Sequence, residues 1–168
     1  MSRIPVTVRP ALPVDAPVLA QLWSDVLRRG PHEQHVADVT QVIDEATGRA
    51  DCLVVVAEYD GQVAGAVYLR ATTLSPLNLE PTCFAVSPHV LPQFRRHGVG
   101  SALMEAAVRF AEDRGVSLVG TAANSEWRDA NRFFARLALA PQAVLRVAPA
   151  QQVRARLAGR PGRAARAR

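Results

Sequence analysis

The segment Val90-Leu-Pro92-Gln-Phe-Arg95-Arg96-His97-Gly98-Val99-Gly100-Ser101 sets two glycines and two adjacent arginines in front of an amphipathic helical pattern. Glycine lets the backbone approach a ligand closely, and the first turn of a helix presents amides that have no intrahelical acceptor. The helix dipole adds partial positive charge at the same place, so Arg95, Arg96, His97, Gly98, Val99, Gly100 and Ser101 together have the makings of a diphosphate cradle. A bare G-x-G also fits an ordinary strand-to-helix turn, and the order of the surrounding elements has to separate the two. A second constellation, His32-Glu-Gln-His35, would place two imidazoles on one helix face. It lacks further ligands and the H-E-x-x-H spacing of a zinc site, so a solvated or acceptor-lining patch is the expectation and no metal is called for.

These residues have to be positioned by the elements around them. Val6 to Arg9 alternates as a short strand ended by Pro10 and Pro13. Asp15 and Pro17 read as the cap and first turn of an amphipathic helix carrying Val18, Leu19, Leu22, Trp23, Val26 and Leu27. Gly30-Pro31 breaks it, and a weaker helix follows from about His32 to Ala46. Cys52 to Ala57 is a buried strand, Asp60-Gly61 a hairpin turn and Gln62 to Thr73 the returning strand. Thr82 to Leu91 is a further strand, in which Pro88 requires an edge, a bulge or a splay. The helix Gly98 to Arg114 stops at Gly115, a strand spans Val116 to Thr121, a helix Arg128 to Leu137 and a last strand Gln142 to Ala148.

With 168 residues, 49% of them hydrophobic, the chain can bury a core without disulfide or metal staples. Cys52 and Cys83 lie in apolar runs and read as buried reduced thiols, which favours a cytoplasmic location. The first residues lack a signal-peptide apolar run, and no stretch reaches the 18 or so apolar residues of a membrane span. All 20 basic residues are arginines, so no lysine amine is available for self-acetylation or Schiff-base chemistry. Six of those arginines lie beyond Val153, and the rest of the chain carries fourteen against fifteen acids. The net charge of +5 therefore belongs to the C-terminal segment, which argues against a nucleic-acid-binding domain face.

In its motif and element order the sequence resembles the GNAT superfamily of acyl-CoA N-acyltransferases, whose V-x-P-x-x-R/Q-x-x-G-x-G/A pattern is matched by Val90, Pro92, Arg95, Gly98 and Gly100. The resemblance implies an α/β (α+β) fold, a mixed, mostly antiparallel V-shaped sheet flanked by helices. It implies an acetyltransferase domain over residues 1–150 and a basic segment over 151–168, a short helix and then a flexible tail. It also implies acetyl-CoA as co-substrate: pyrophosphate on the amides of residues 95–100, pantetheine in a splay beside Val90 and Leu91, and Asn131 and Phe134 of the last helix at the cofactor. The acceptor would be a small-molecule or peptide amine, attacking directly in a ternary complex. A homodimer is compatible with this reading; a membrane partner is not expected.

The last helix departs from the family pattern N-x-x-A-x-x-F-Y-x-x-x-G-F. Around Ala130 the chain has Trp127 for the asparagine, Phe134 for the tyrosine that serves as general acid, and Ala138-Leu139 for the final pair. Free thiols ionise near 8.5, so an unassisted thiolate remains a tolerable leaving group. For the general base, Glu80 and His89 lie near or on the strand expected to border the acceptor, although strict alternation turns His89 to the opposite face unless Pro88 introduces a bulge. Trp127 is either a packing plug or a lid beside the cofactor. A catalytically weak acyl-CoA-binding protein is the second reading, and nucleic-acid binding through the arginine-rich end a third.

Overall fold

The computed structural model describes residues 4–123 and 127–158. Its five strands are β1 (Val6–Pro10), β2 (Cys52–Tyr59), β3 (Gln62–Thr73), β4 (Pro81–Val90) and β5 (Leu118–Thr121). They form one sheet in sequence order. Neighbours pair antiparallel from β1 to β4, and β4 pairs with β5 in parallel. The helices are α1 (Ala16–Leu22), α2 (His32–Thr47), α3 (Val99–Glu112), α4 (Arg128–Arg136) and α5 (Ala150–Ala158). Among the described residues, no helix is long and apolar enough to cross a membrane.

Strand alternation divides the core in two. Val55, Ala57, Val67, Leu69, Cys83 and Ala85 point to the face covered by α3 and α4, where Leu103, Ala107, Phe110 and Phe134 meet them. Cys52, Val54, Val56 and Ala66 point to the face covered by α1 and α2, against Leu19, Trp23, Val39 and Ile43. Both cysteines are free and buried, and burial pushes the Cys83 thiol up from its ordinary range. The β2–β3 turn has φ of 52° at Asp60 and 71° at Gly61, as a two-residue hairpin requires.

Three local expectations are revised. Asp15 makes no side-chain cap for α1. Its buried carboxylate accepts from the Leu12 amide at 2.8 Å and from the Arg9 guanidinium at 2.7 and 2.9 Å, tying the start of the helix to β1. The Arg9 guanidinium holds that carboxyl below the usual aspartate range. Regular helix ends at Leu22 rather than Leu27, and open turns carry the chain on, with the Val26 and Leu27 amides on the Trp23 carbonyl. The alternating run Gln142 to Ala148 forms no strand. A strand needs an edge to take its hydrogen bonds, and none among the described residues does so. Val144, Leu145 and Val147 stand exposed between Pro141 and Pro149. The short helix expected near Gln151 to Leu157 is present as α5, with no buried residue. The flexible tail expected from Arg160 lies outside the described residues.

Candidate active site

The site is built around the C-terminal end of β4. Along β3 the register steps from Ala66, opposite His89, to Tyr68, opposite Val86, so β4 holds one residue more than its partner over this stretch. That is a β-bulge at Ser87-Pro88, with Ser87 at φ 48° in the left-handed region. The bulge undoes strict alternation. His89 shares the face of Ala66 and Val86 shares that of Tyr68, so both look toward α1 and α2.

His89 is thereby brought to the carboxylate of Asp25, Nε2 to Oδ2 at 3.3 Å, while Nδ1 lies 3.2 Å from the Ser87 carbonyl. A carbonyl and a carboxylate oxygen both only accept, so a neutral ring can donate to one of them and a ring carrying two protons to both. Once Nε2 takes a proton it can donate to Asp25, and the carboxylate then stabilises the imidazolium. The same Ser87 carbonyl accepts from the Trp23 indole N–H at 2.9 Å, which fixes the bulge to the end of α1. Trp127 sets its ring edge-on to His89, with centroids 5.3 Å apart. Trp127 therefore borders the histidine from the start of α4.

Glu80, the other sequence candidate, precedes β4 and is exposed. Its carbonyl accepts from Leu74 and Thr82, and its amide donates to Asn78. Nine residues of strand separate it from His89, on the order of 25 to 30 Å at the usual rise. The structure does not bring Glu80 and His89 together.

On the other face, β4 runs into a 3-10 turn (Pro92–Phe94) and then into α3. Arg96 has φ 64°, and Gly98, the N-cap of α3, has φ 88°. The first intrahelical bond is Ala102 N–H to the Gly98 carbonyl at 3.0 Å, so the amides of Val99, Gly100 and Ser101 have no acceptor within the helix. Arg95 and Arg96 are exposed and, among the described residues, unpaired. The His97 ring is held by its bond to the Arg95 carbonyl, Nδ1 to O at 2.8 Å, and by Tyr59, whose ring centroid lies 4.6 Å away. Phe133 borders Gly100, where an added Cβ would come within 3.4 Å of its ring. Free amides, flanking guanidinium groups and a left-handed turn fit an anionic diphosphate.

Pairing of β4 with β5 stops at Ala85 opposite Thr121, whereas β4 stays with β3 as far as Val90. Beyond that point no strand among the described residues pairs with this edge of β4. Leu91 cannot serve that edge. Its N–H donates to Ala64 O and its C=O accepts from Phe94 N, both at 2.9 Å. Ladder alternation turns the backbone groups of Val90, one residue earlier, the other way.

The mixed sheet flanked by helices is the fold that the motif and element order imply, and the comparisons agree with that fold. The sequence profile described as the Acetyltransferase (GNAT) family matches residues 19–138. The chain belongs to this family. No curated protein matches it by sequence. The GNAT fold is shared with a transcriptional regulator from Bacillus halodurans C-125, at TM-score 0.73 and 22% identity over 86% of this chain and 99% of that one. It is also shared with the aminoglycoside N-acetyltransferase AAC(6')-Iy in complex with CoA, at TM-score 0.71 and 18% identity over 88% and 96% of the two chains. The ribosomal-protein-alanine N-acetyltransferase from Brucella melitensis biovar Abortus 2308 aligns at TM-score 0.63 and 18% identity over 86% and 99%.

In this GNAT chain, Phe134 is buried in the core beside Phe133, their ring centroids 5.4 Å apart. The Asn131 amide donates to the Trp127 carbonyl at 2.9 Å, turned back on the first turn of its own helix. His35 gives its ring nitrogen to the Arg28 carbonyl at 2.8 Å, and among the described residues no three potential metal ligands gather. Sequence reasoning missed Asp25, which lies 64 residues from its partner in a turn with no pattern of its own. It also missed the Tyr59 contact to His97. Trp23 was expected in the core and is 5% exposed, but its indole nitrogen also serves the bulge.

Proposed function

We propose that this protein transfers the acetyl group of acetyl-CoA to a primary amine by direct attack in a ternary complex. The observation that supports it is the double use of β4: one end of a single strand carries the diphosphate cradle on one side of the sheet and turns His89 to the other. Arg95, Arg96 and the amides from His97 to Ser101 would hold the pyrophosphate, and the open edge of β4 at Val90 would take the pantetheine. Acetyl-CoA supplies an activated thioester. The amine nitrogen bonds to its carbonyl carbon, the C–S bond breaks, and CoA leaves as thiolate.

His89 Nε2 takes the proton that the attacking nitrogen must lose, and Asp25 stabilises the imidazolium so formed. In that role Nδ1 donates to the Ser87 carbonyl. Tyr68 is a poor stand-in for the family tyrosine. The Tyr68 hydroxyl donates to Cys52 Sγ at 3.0 Å, and burial, with that bond, pushes it up to about 12. A phenol that weak in acidity is poorly matched to a thiolate leaving near 8.5, which argues for unassisted departure. Phe134, apolar and buried, favours a second reading in which the protein binds acyl-CoA and turns over slowly.

The test follows free thiol while purified protein meets acetyl-CoA and a panel of primary amines. Amine-dependent thiol release is expected, and His89→Ala should lower kcat/KM by about 100-fold or more, the usual contribution of a general base. Asp25→Asn should lose less. No thiol release with any amine would support the binding-protein reading, and a His89→Ala enzyme within about twofold of wild type would remove His89 as the base.

A further inference from the structure

The face that receives His89 also holds a cavity of about 420 Å³, within the range of small-molecule sites. It lies between α1, α2 and the β3–β4 surface, and Ser87 belongs both to its wall and to the hydrogen bonds that hold His89. Its middle is apolar, formed by Trp23, Val26, Leu27, Val39, Val42 and Val86. Val26, Val42 and Val86 are 47, 37 and 42% exposed, large apolar side chains left uncovered around one hollow. Large apolar side chains around one hollow suit a ligand with an apolar body.

The polar groups sit at the far end. Arg70 stands on β3 opposite Phe84, five residues along β4 from His89, on the order of 15 Å away at the strand rise. Arg49 is also there, held in a two-point pair with Asp51 at 2.7 and 2.9 Å. Glu45 is the one acid of the wall, and its carboxylate accepts from the Gln41 amide at 2.7 Å. Arg70 has no ion-pair partner among the described residues. A polycation lying along this cavity would carry its second charge across apolar walls to a far end where Arg49 is already matched by Asp51 and the carboxylate of Glu45 is offset by Arg70, so no surplus acid compensates its desolvation.

Resting on the acetyltransferase reading, we infer that the acceptor is a monoamine with an aryl or branched-alkyl body, its amine at His89 and Asp25 and its body between Trp23, Val42 and Val86. Polycationic amines are disfavoured by the same wall. Selection lies in the apolar middle and in a far end with no surplus acid to receive a second cation.

The experiment uses Trp23 as a reporter that does not depend on turnover. In the Trp127→Phe protein Trp23 is the sole tryptophan, and its emission is titrated with 2-phenylethylamine and with spermidine, with and without CoA. 2-Phenylethylamine should change the emission saturably and bind at least about tenfold more tightly than spermidine, and Val86→Glu should weaken it by a similar factor. Arg70→Glu, an exposed position, should narrow the gap by strengthening spermidine. Spermidine binding as tightly as 2-phenylethylamine, or no saturable response to the arylalkylamine in either condition, would overturn the inference. Saturable binding without thiol release would keep the pocket's preference and discard the acetyltransfer. Thiol release confined to polyamines would do the reverse.

Discussion

At the scale of single residues, the chemistry rests on where a few polar atoms are held. The role proposed for His89 rests on no motif. It rests on an extra residue in β4 that turns the ring onto the face of Asp25, and on the Ser87 carbonyl beside its other nitrogen. Phe134 is the sharpest departure from the family pattern. A tyrosine there would restore a hydroxyl able to protonate the thiolate, whose charge develops only in the transition state, so Phe134→Tyr should raise kcat or leave it unchanged without moving KM. Steady-state kinetics on the folded variant decide this. A fall in kcat of about tenfold or more would show that the bare phenyl ring is required in the core beside Phe133. His89 was a candidate because it lies on the strand expected to border the acceptor, with Pro88 the one hint that alternation could fail there, whereas Asp25 was not, since a lone acid in a turn carries no periodic signal.

At the scale of elements, the cradle depends on how closely α3 approaches the sheet. Gly65 of β3 lies under that contact. A Cβ at this position would stand 2.5 Å from the His89 carbonyl oxygen, 3.0 Å from Val99 Cγ1 and 3.3 Å from Leu103 Cδ1. The backbone atom cannot rotate away, so Gly65→Ala has to shift either β4 at the histidine or α3 at its first turn. The expected cost is roughly 2 kcal/mol of stability, by analogy with overpacked cores, together with weaker acetyl-CoA binding. Thermal melts with and without ligand check it, and a variant equal to wild type in both would show that the contact is not limiting. The hairpin at Asp60-Gly61, the amphipathic α3 and the glycine at its cap could be read from local pattern, because turn chemistry and helical spacing act over a few residues. The stretch Gln142 to Ala148 shows the limit of that reasoning. Its alternation is as good as that of β1, but pairing is decided by an available edge and not by the segment itself.

At the scale of the whole molecule, the sheet is a partition with two half-cores, and β4 connects the two sides: cradle and splay toward α3, histidine and apolar cavity toward α1 and α2. The order of strands and helices as far as α4 was legible before any coordinates, and the motif at Val90 to Gly100 pointed to the start of α3 as the proposed cradle. The cavity was not. It arises from residues of α1, α2, β3 and β4 that meet only once the chain has folded. The central claim, that this fold binds acetyl-CoA through the start of α3, is tested most directly by the shift in melting temperature that acetyl-CoA produces in wild type and in Gly98→Glu. A ligand bound only to the native state stabilises it by about 2.7 kcal/mol at a hundredfold excess over Kd, so the wild-type melt should move up measurably. Gly98 has φ 88°, a conformation that glycine adopts freely and glutamate only at a cost of about 1 to 2 kcal/mol, and the new carboxylate would face the diphosphate. The shift should therefore disappear in the folded variant; a folded Gly98→Glu protein stabilised by acetyl-CoA as much as wild type would contradict the assignment.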